Sequence, residues 1–260
     1  MNELVVSPPR GLPSGRVATK RTRFQVFDVA SIENPLLAKT NDSPPVIITA
    51  LAADLAAGIV ALGITVPADA QQRMLDYLAL VVKWNKAYNL TAVREPEKML
   101  THHLLDSLAI LPHVRGPRVL DVGTGAGLPG IPLALARPDW RFTLLDSNQK
   151  KTTFLRQVMI ELQLPNVEVA CARVEAWPAP QPFDTVVSRA FSEVSEFLAL
   201  AGKLCAKDGV MLAMKGVYPH DELAQVPGAF RLCSVIPLNV PGLGAERHAA
   251  LLQPQPAVAA

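Results

Sequence analysis

The stretch Arg118 to Gly130, RVLDVGTGAGLPG, holds the residue types best suited to chemistry. Gly123, Gly125 and Gly127 can take positive φ at little cost and let a ligand touch bare backbone. Val119-Leu120-Asp121-Val122 reads as a short buried strand before them, and a helix should open at Pro129. Strand, glycine turn and helix start make a cofactor loop, with unpaired amides and the positive end of the helix dipole turned to the ligand. About twenty residues further on, Asp146 ends a second strand, where a carboxylate can accept hydrogen bonds from ribose hydroxyls. Its competing reading is a cap for the helix that starts at Asn148. These residues point to a nucleoside and leave open which one.

The glycines can be parsed two ways. Gly125, Gly127 and Gly130 satisfy the dinucleotide pattern of a nicotinamide-dependent oxidoreductase. Gly123, Gly125 and Gly127 give the tighter G-x-G-x-G used with S-adenosylmethionine. The first of these glycines follows the strand directly, and Asp121 precedes it where an acid can orient a charged amino group through the loop. Both features favour the methyl donor. For a methyltransferase the acceptor atom narrows by what is missing. Ser188-Arg189-Ala190-Phe191 stands where an exocyclic-nitrogen enzyme carries an Asn/Asp-Pro-Pro-aromatic turn. Carbon chemistry at C5 of a pyrimidine needs a cysteine nucleophile. Cys171 lies in an expected strand, Cys205 at a helix end and Cys233 in a late strand, and all three read as small apolar fillers. A ring nitrogen such as guanine N7, with its own lone pair, needs only alignment and tolerance of the charge that develops.

These residues need a scaffold. From Arg118 onward, expected strands at Val119 to Val122, Phe142 to Asp146, Val167 to Cys171, Phe183 to Ser188 and Gly209 to Met214 alternate with helices, and Arg231 to Pro237 and Arg247 to Leu252 close the set. Such alternation implies a mostly parallel seven-stranded α/β sheet covered on both faces, with ligands beyond the carboxyl ends of the strands. Residues 47–112 read as a helical cap: Thr49 is placed to cap a helix to Leu62, Pro67 and Asp69 start another, and Glu95-Pro96 a third. Lys83, Lys86, Arg94, Lys98, His102 and His103 alternate there with Trp84 and Tyr88, a mixture able to meet phosphates and stack bases, although such charges are more often a solvated face. Residues 1–46, broken by prolines, read as a disordered extension, with Arg16, Lys20, Arg21 and Arg23 as its only RNA-like feature. Residues 113–260 are the expected catalytic domain.

The totals limit the partners. The formal charge is +2; residues 1–46 hold six Lys/Arg against four Asp/Glu, leaving nineteen of each sign in the remainder. Nucleic acid must therefore be held by a local patch rather than a global field. Three cysteines without a CxxC pair suit a reducing cytoplasm and suggest neither zinc nor a disulfide framework. The apolar run Val46 to Val66 is interrupted by Asp54, so a buried or half-buried helix is expected there rather than a membrane span.

Several motifs in one order go further. Lys83-Trp84-Asn85-Lys86-Ala87-Tyr88-Asn89-Leu90-Thr91, His103-Leu104-Leu105-Asp106-Ser107-Leu108, DVGTGAGLPGIPLA, LLDSNQKKTTFLRQV, ARVEAW, VVSRAF, MKG and GAERH closely resemble the small-subunit ribosomal RNA methyltransferase G family, also called glucose-inhibited division protein B. The resemblance covers about residues 48 to 252. It implies a class I, Rossmann-like methyltransferase that uses S-adenosylmethionine to methylate N7 of one guanine in the 530 loop of 16S ribosomal RNA. It further implies a cytoplasmic monomer acting on 16S rRNA or the 30S particle, with neither DNA nor a membrane as partner. Matched motif by motif, Gly123, Leu128, Asp146, Val174, Glu175 and Arg189 should hold the donor: Asp146 at the ribose, Val174 and Glu175 near the adenine. Arg189 is left between the donor's carboxylate, an RNA phosphate, and a structural pair with Asp106 or Asp184. Asp106 and Ser107 should brace the cap, and Lys215 is a weaker candidate for RNA contact. A non-catalytic RNA-binding assembly factor remains a rival, keeping the basic cap without turnover.

Overall fold

In the computed structural model, which describes residues 48 and 50–255, strand parity explains most of the architecture. Side chains alternate across β1, Arg118–Val122, so Val119 joins one hydrophobic core and Leu120 and Val122 join a second on the other face of the sheet. The central parallel strands β1, β2 (Arg141–Asp146) and β4 (Phe183–Ser188) are apolar runs because both of their faces are covered. With β3 (Val167–Cys171), β5 (Cys205–Lys215), β6 (Phe230–Pro237) and β7 (His248–Pro254) they form one seven-stranded sheet. Its order is β3-β2-β1-β4-β5-β7-β6, with β7 antiparallel to both neighbours. The chain reverses its direction of growth at β1, so the loops after β1 and β4 open side by side.

Helix α1 spans Ala52–Ala61 and buries Leu55, Gly58 and Ile59, the half-buried helix expected of that apolar run. No helix among the described residues is long and apolar enough to cross a membrane. The expected Thr49 cap and the extension 1–46 lie outside the described residues. Helix α2, Ala68–Tyr88, starts after Pro67, carries Asp69 in its first turn and Lys86 in its last, and stops where Asn89 turns left-handed at φ 49°. Its buried stripe, Met74, Tyr77, Leu78, Val81, Trp84 and Asn85, recurs at helical spacing. Helix α3 runs from Pro96–Met99 through a π-helical stretch, Leu100–Leu105, to Asp106–Leu108. These helices share one core with Val119 and with α4, Gly130–Ala136.

Two expectations change. Trp84 is buried against Phe154 and Tyr88, with ring centroids 5.7 and 5.0 Å away, so it serves the core and cannot stack a base. Cys205 stands at a helix end as expected, directly after the 3-10 turn Gly202–Leu204, and is also the buried first residue of β5. Cys171 and Cys233 are exposed rather than apolar fillers, since β3 and β6 are the two edge strands of the sheet.

Candidate active site

The loop after β1 is shaped by short-range bonds. Gly123 and Thr124 donate their amides to the Leu145 carbonyl, at 2.8 and 3.1 Å, and Gly127 and Leu128 donate theirs to that of Thr124. Gly123 sits at φ 68°, and a Cβ there would lie 2.6 Å from that of Ala190. Gly125, at φ 62°, meets nothing closer than 3.9 Å where its side chain would stand, so its backbone faces open space. One carboxylate oxygen of Asp146 accepts from the Gly125 amide (2.9 Å) and the other from the Asn148 amide (2.8 Å), so Asp146 ties the loop to the turn before the next helix. The cap of α5, Gln149–Glu161, is Asn148 itself, accepting from Lys150 and Lys151. Tyr77, buried on α2, donates its hydroxyl to the Ala126 carbonyl at 2.8 Å and holds the loop from behind.

The helix start behind the loop differs from expectation. Asp121 shares the face of Val119, under α4, and one of its oxygens accepts from both Thr124 Oγ1 (2.6 Å) and the Gly130 amide (2.9 Å). The amide expected to be free for an anion is thus capped from below. The other oxygen of Asp121 is buried without a partner, and burial pushes the carboxyl up to about 6. A buried acid at this point repels a diphosphate and favours a cationic ligand, which weighs against the dinucleotide parsing.

Two adjoining cavities open at the carboxyl ends of the strands. The smaller, about 150 Å³, lies over Gly123, Thr124, Gly125 and Leu128. The larger, about 410 Å³, lies beside it among His102, His103, Asp106, Lys215 and Arg247. Thr91 and Arg189 line both. Asp106 is almost wholly buried, and each of its oxygens accepts from one arginine, Arg189 Nη1 and Arg247 Nε, both at 2.9 Å. Arg189 Nη1 also donates to the His102 carbonyl at 3.0 Å. Of the structural pairs open to Arg189 the one with Asp106 forms, while Asp184 pairs with Arg118 at 3.0 Å. Three charges in this cluster sum to +1, and most donors on both guanidiniums stay unused.

His103 is buried, bonded through Nε2 to Thr91 Oγ1 at 3.0 Å, and burial holds it down at about 4, so it is neutral near pH 7. Lys215, expected as an RNA contact, is instead tied to Glu222 at 2.8 Å and to the Ser192 carbonyl. Val174 is buried in the turn after β3, and the exposed Glu175 accepts Lys203 on its carbonyl at 2.7 Å. Neither lines the two cavities, nor does Asp146; Val174 and Glu175 follow β3 and Asp146 ends the neighbouring β2. Leu128 is buried beneath the loop. Sequence reading missed Tyr77, which looks like one more core position on an apolar stripe, and gave Arg247 no role although its GAERH motif stood out.

The strand order, the glycine loop after β1 and the acid ending β2 define a class I S-adenosylmethionine-dependent methyltransferase. A solved SAM-dependent methyltransferase from Aquifex aeolicus shares the fold, with a TM-score of 0.51 at 18% identity over 63% of this chain and 96% of that one. The family model for rRNA small subunit methyltransferase G matches residues 70–250, and the chain belongs to that family. It is 54% identical to the Ribosomal RNA small subunit methyltransferase G of Nitrosospira multiformis, over 78% of this chain and 97% of the relative. It is likewise 54% identical to the protein of that name from Chromobacterium violaceum, over 75% and 94%. The chain is therefore an S-adenosylmethionine-dependent methyltransferase of small-subunit ribosomal RNA.

Proposed function

We propose that the enzyme methylates N7 of a single guanine in 16S ribosomal RNA, acting as a monomer in the cytoplasm on the RNA or the 30S particle. The observation that carries this reading is that, among the described residues, no cysteine lines the larger cavity and the carboxylate and lysine that do are ion-paired. His103 is buried and bonded through Nε2 to Thr91, Asp106 is paired on both oxygens, and Lys215 is ion-paired. Cys205 lies elsewhere, with its thiol pushed up to about 12 by burial. Such a cleft suits an acceptor that brings its own lone pair, and guanine N7 has one in the plane of the ring.

S-adenosylmethionine supplies an electrophilic methyl on a sulfonium. Gly123, Gly125 and Leu128 form the open backbone surface on which it would lie, Asp146 faces its ribose, and Val174 and Glu175 flank its adenine. Asp121, beneath the loop, favours the donor's positive end. Arg189, shared by both cavities, holds the acceptor side with Arg247: their remaining N–H groups bind a phosphate, and the carboxylate between them offsets positive charge developing on the purine.

Incubating the protein and labelled donor with unmodified 16S RNA or 30S particles should place the label on N7 of one guanine. Label on C5 of a pyrimidine or on an exocyclic nitrogen would sink the reading.

A further inference from the structure

Among the described residues, large apolar side chains stand strongly exposed at five positions, and two of these are consecutive: Val217, 71% exposed, and Tyr218, 39%. They follow Lys215 and Gly216, which line the larger cavity at the end of β5. Their setting is ordered by contacts. The Tyr218 ring lies 4.2 Å from that of His220, tilted by 38°, and 5.6 Å edge-on from His248. His248 Nδ1–H donates to the Gly216 carbonyl at 3.2 Å, tying the rings to the cavity wall. Large apolar groups kept in water mark a contact surface, and a ring already held in place loses little freedom when a partner arrives.

We propose that Val217 and Tyr218 form a stacking platform for an unpaired nucleotide next to the methylated base. The larger cavity takes the target and the loop takes its neighbour. The inference rests on RNA as the substrate and adds a second contact point to it. Charge argues for a base face rather than a phosphate. Lys215 is spent on Glu222 and the Ser192 carbonyl, and Asp221 follows in the same segment, so the loop offers ring and methyl surface instead of cations. Unpaired bases stacked on aromatic side chains are the usual mode of single-stranded RNA recognition. Phosphate attraction comes from Arg189 and Arg247, on the same cavity wall.

The test compares Tyr218→Ala, Tyr218→Phe and Val217→Ser in the full chain, with naked 16S RNA and with 30S particles at saturating donor. Tyr218→Ala should raise KM for RNA about tenfold, with kcat and donor Kd held within about twofold and Tyr218→Phe restoring the wild-type value. Val217→Ser, changing a side chain that stands in water, should raise KM about threefold with an unchanged melting temperature, which separates contact from folding. An unchanged KM in the Ala and Ser variants would overturn the platform. So would an equal loss in Tyr218→Phe, which would assign the effect to the hydroxyl. A defect confined to particles would also overturn it, by assigning the surface to a ribosomal protein. Methylation of another atom by the wild type would overturn the guanine-N7 reading and leave this KM comparison intact.

Discussion

The donor loop and the acceptor cleft adjoin, yet they are held together over different sequence distances. Asp121 bonds to Thr124 and to the Gly130 amide, three and nine positions away, and Asp146 reaches Gly125 across twenty-one. In the cleft, Arg189 meets Asp106 across eighty-three positions and Arg247 meets it across 141. The donor side is chiefly main chain, whose shape follows from glycine, strand parity and neighbouring carboxylates. The acceptor side is chiefly side chains that converge only when α3, β4 and the segment before β7 are in place. A local cradle tolerates change elsewhere in the molecule, whereas a cleft made from distant parts responds to all of them.

The sharpest way to break this contrast is at Gly123. Valine there needs positive φ in a β-branched residue and carries its Cβ to 2.6 Å from that of Ala190. The combined strain and crowding, about 3–4 kcal/mol, should weaken donor binding by about 100- to 1,000-fold in calorimetry. An unaffected Kd would show that the loop is not the cradle.

A second comparison sets the buried acid of the donor side against the buried base of the acceptor side. Asp121, raised from 3.8 to about 6, contributes stability that is full below about pH 4 and lost as pH rises through about 6. His103, lowered from 6.5 to about 4, contributes stability that is full above about pH 6.5 and lost as pH falls through about 4. Each is worth about 3 kcal/mol. The two nearly cancel, so wild-type stability should change little from pH 4 to 6 on their account. Asp121→Asn should then gain stability as pH rises through that window, and His103→Gln should lose it. Urea unfolding at a series of pH values measures both slopes, and parallel curves for the two variants would remove the opposition.

The smallest expected effect probes an exception. Tyr77 reaches the donor loop from α2, forty-nine positions away, through a single bond to the Ala126 carbonyl. Tyr77→Phe leaves a buried carbonyl short of a partner at a cost of about 1 kcal/mol, so donor Kd should rise about fivefold and RNA binding should hold. Equal losses in donor and RNA binding would make Tyr77 a brace for the whole site rather than for the loop.

How much was legible follows the same division. Gly123, Gly125 and Gly127 announce their turn because few other residues take those backbone angles, and alternation along β1 buries Asp121 wherever Val119 is buried. The strand order could be anticipated because alternating strands and helices build a parallel sheet in few ways. Trp84 sat in a basic, aromatic stretch, and only the packing of α2 against Phe154 turned it into core. Cys171 and Cys233 resembled buried cysteines because edge position is a property of the sheet, not of a strand. Lys215 looked free until Glu222 was folded against it. The sequence by itself determined the glycine loop, the sheet and the family, since these depend on local backbone preference and on motifs kept in one order. Tertiary structure alone decided that Asp106 takes both Arg189 and Arg247, because arginines 83 and 141 positions along the chain can share one buried carboxylate on α3 only after the sheet has brought β4 and the start of β7 beside that helix.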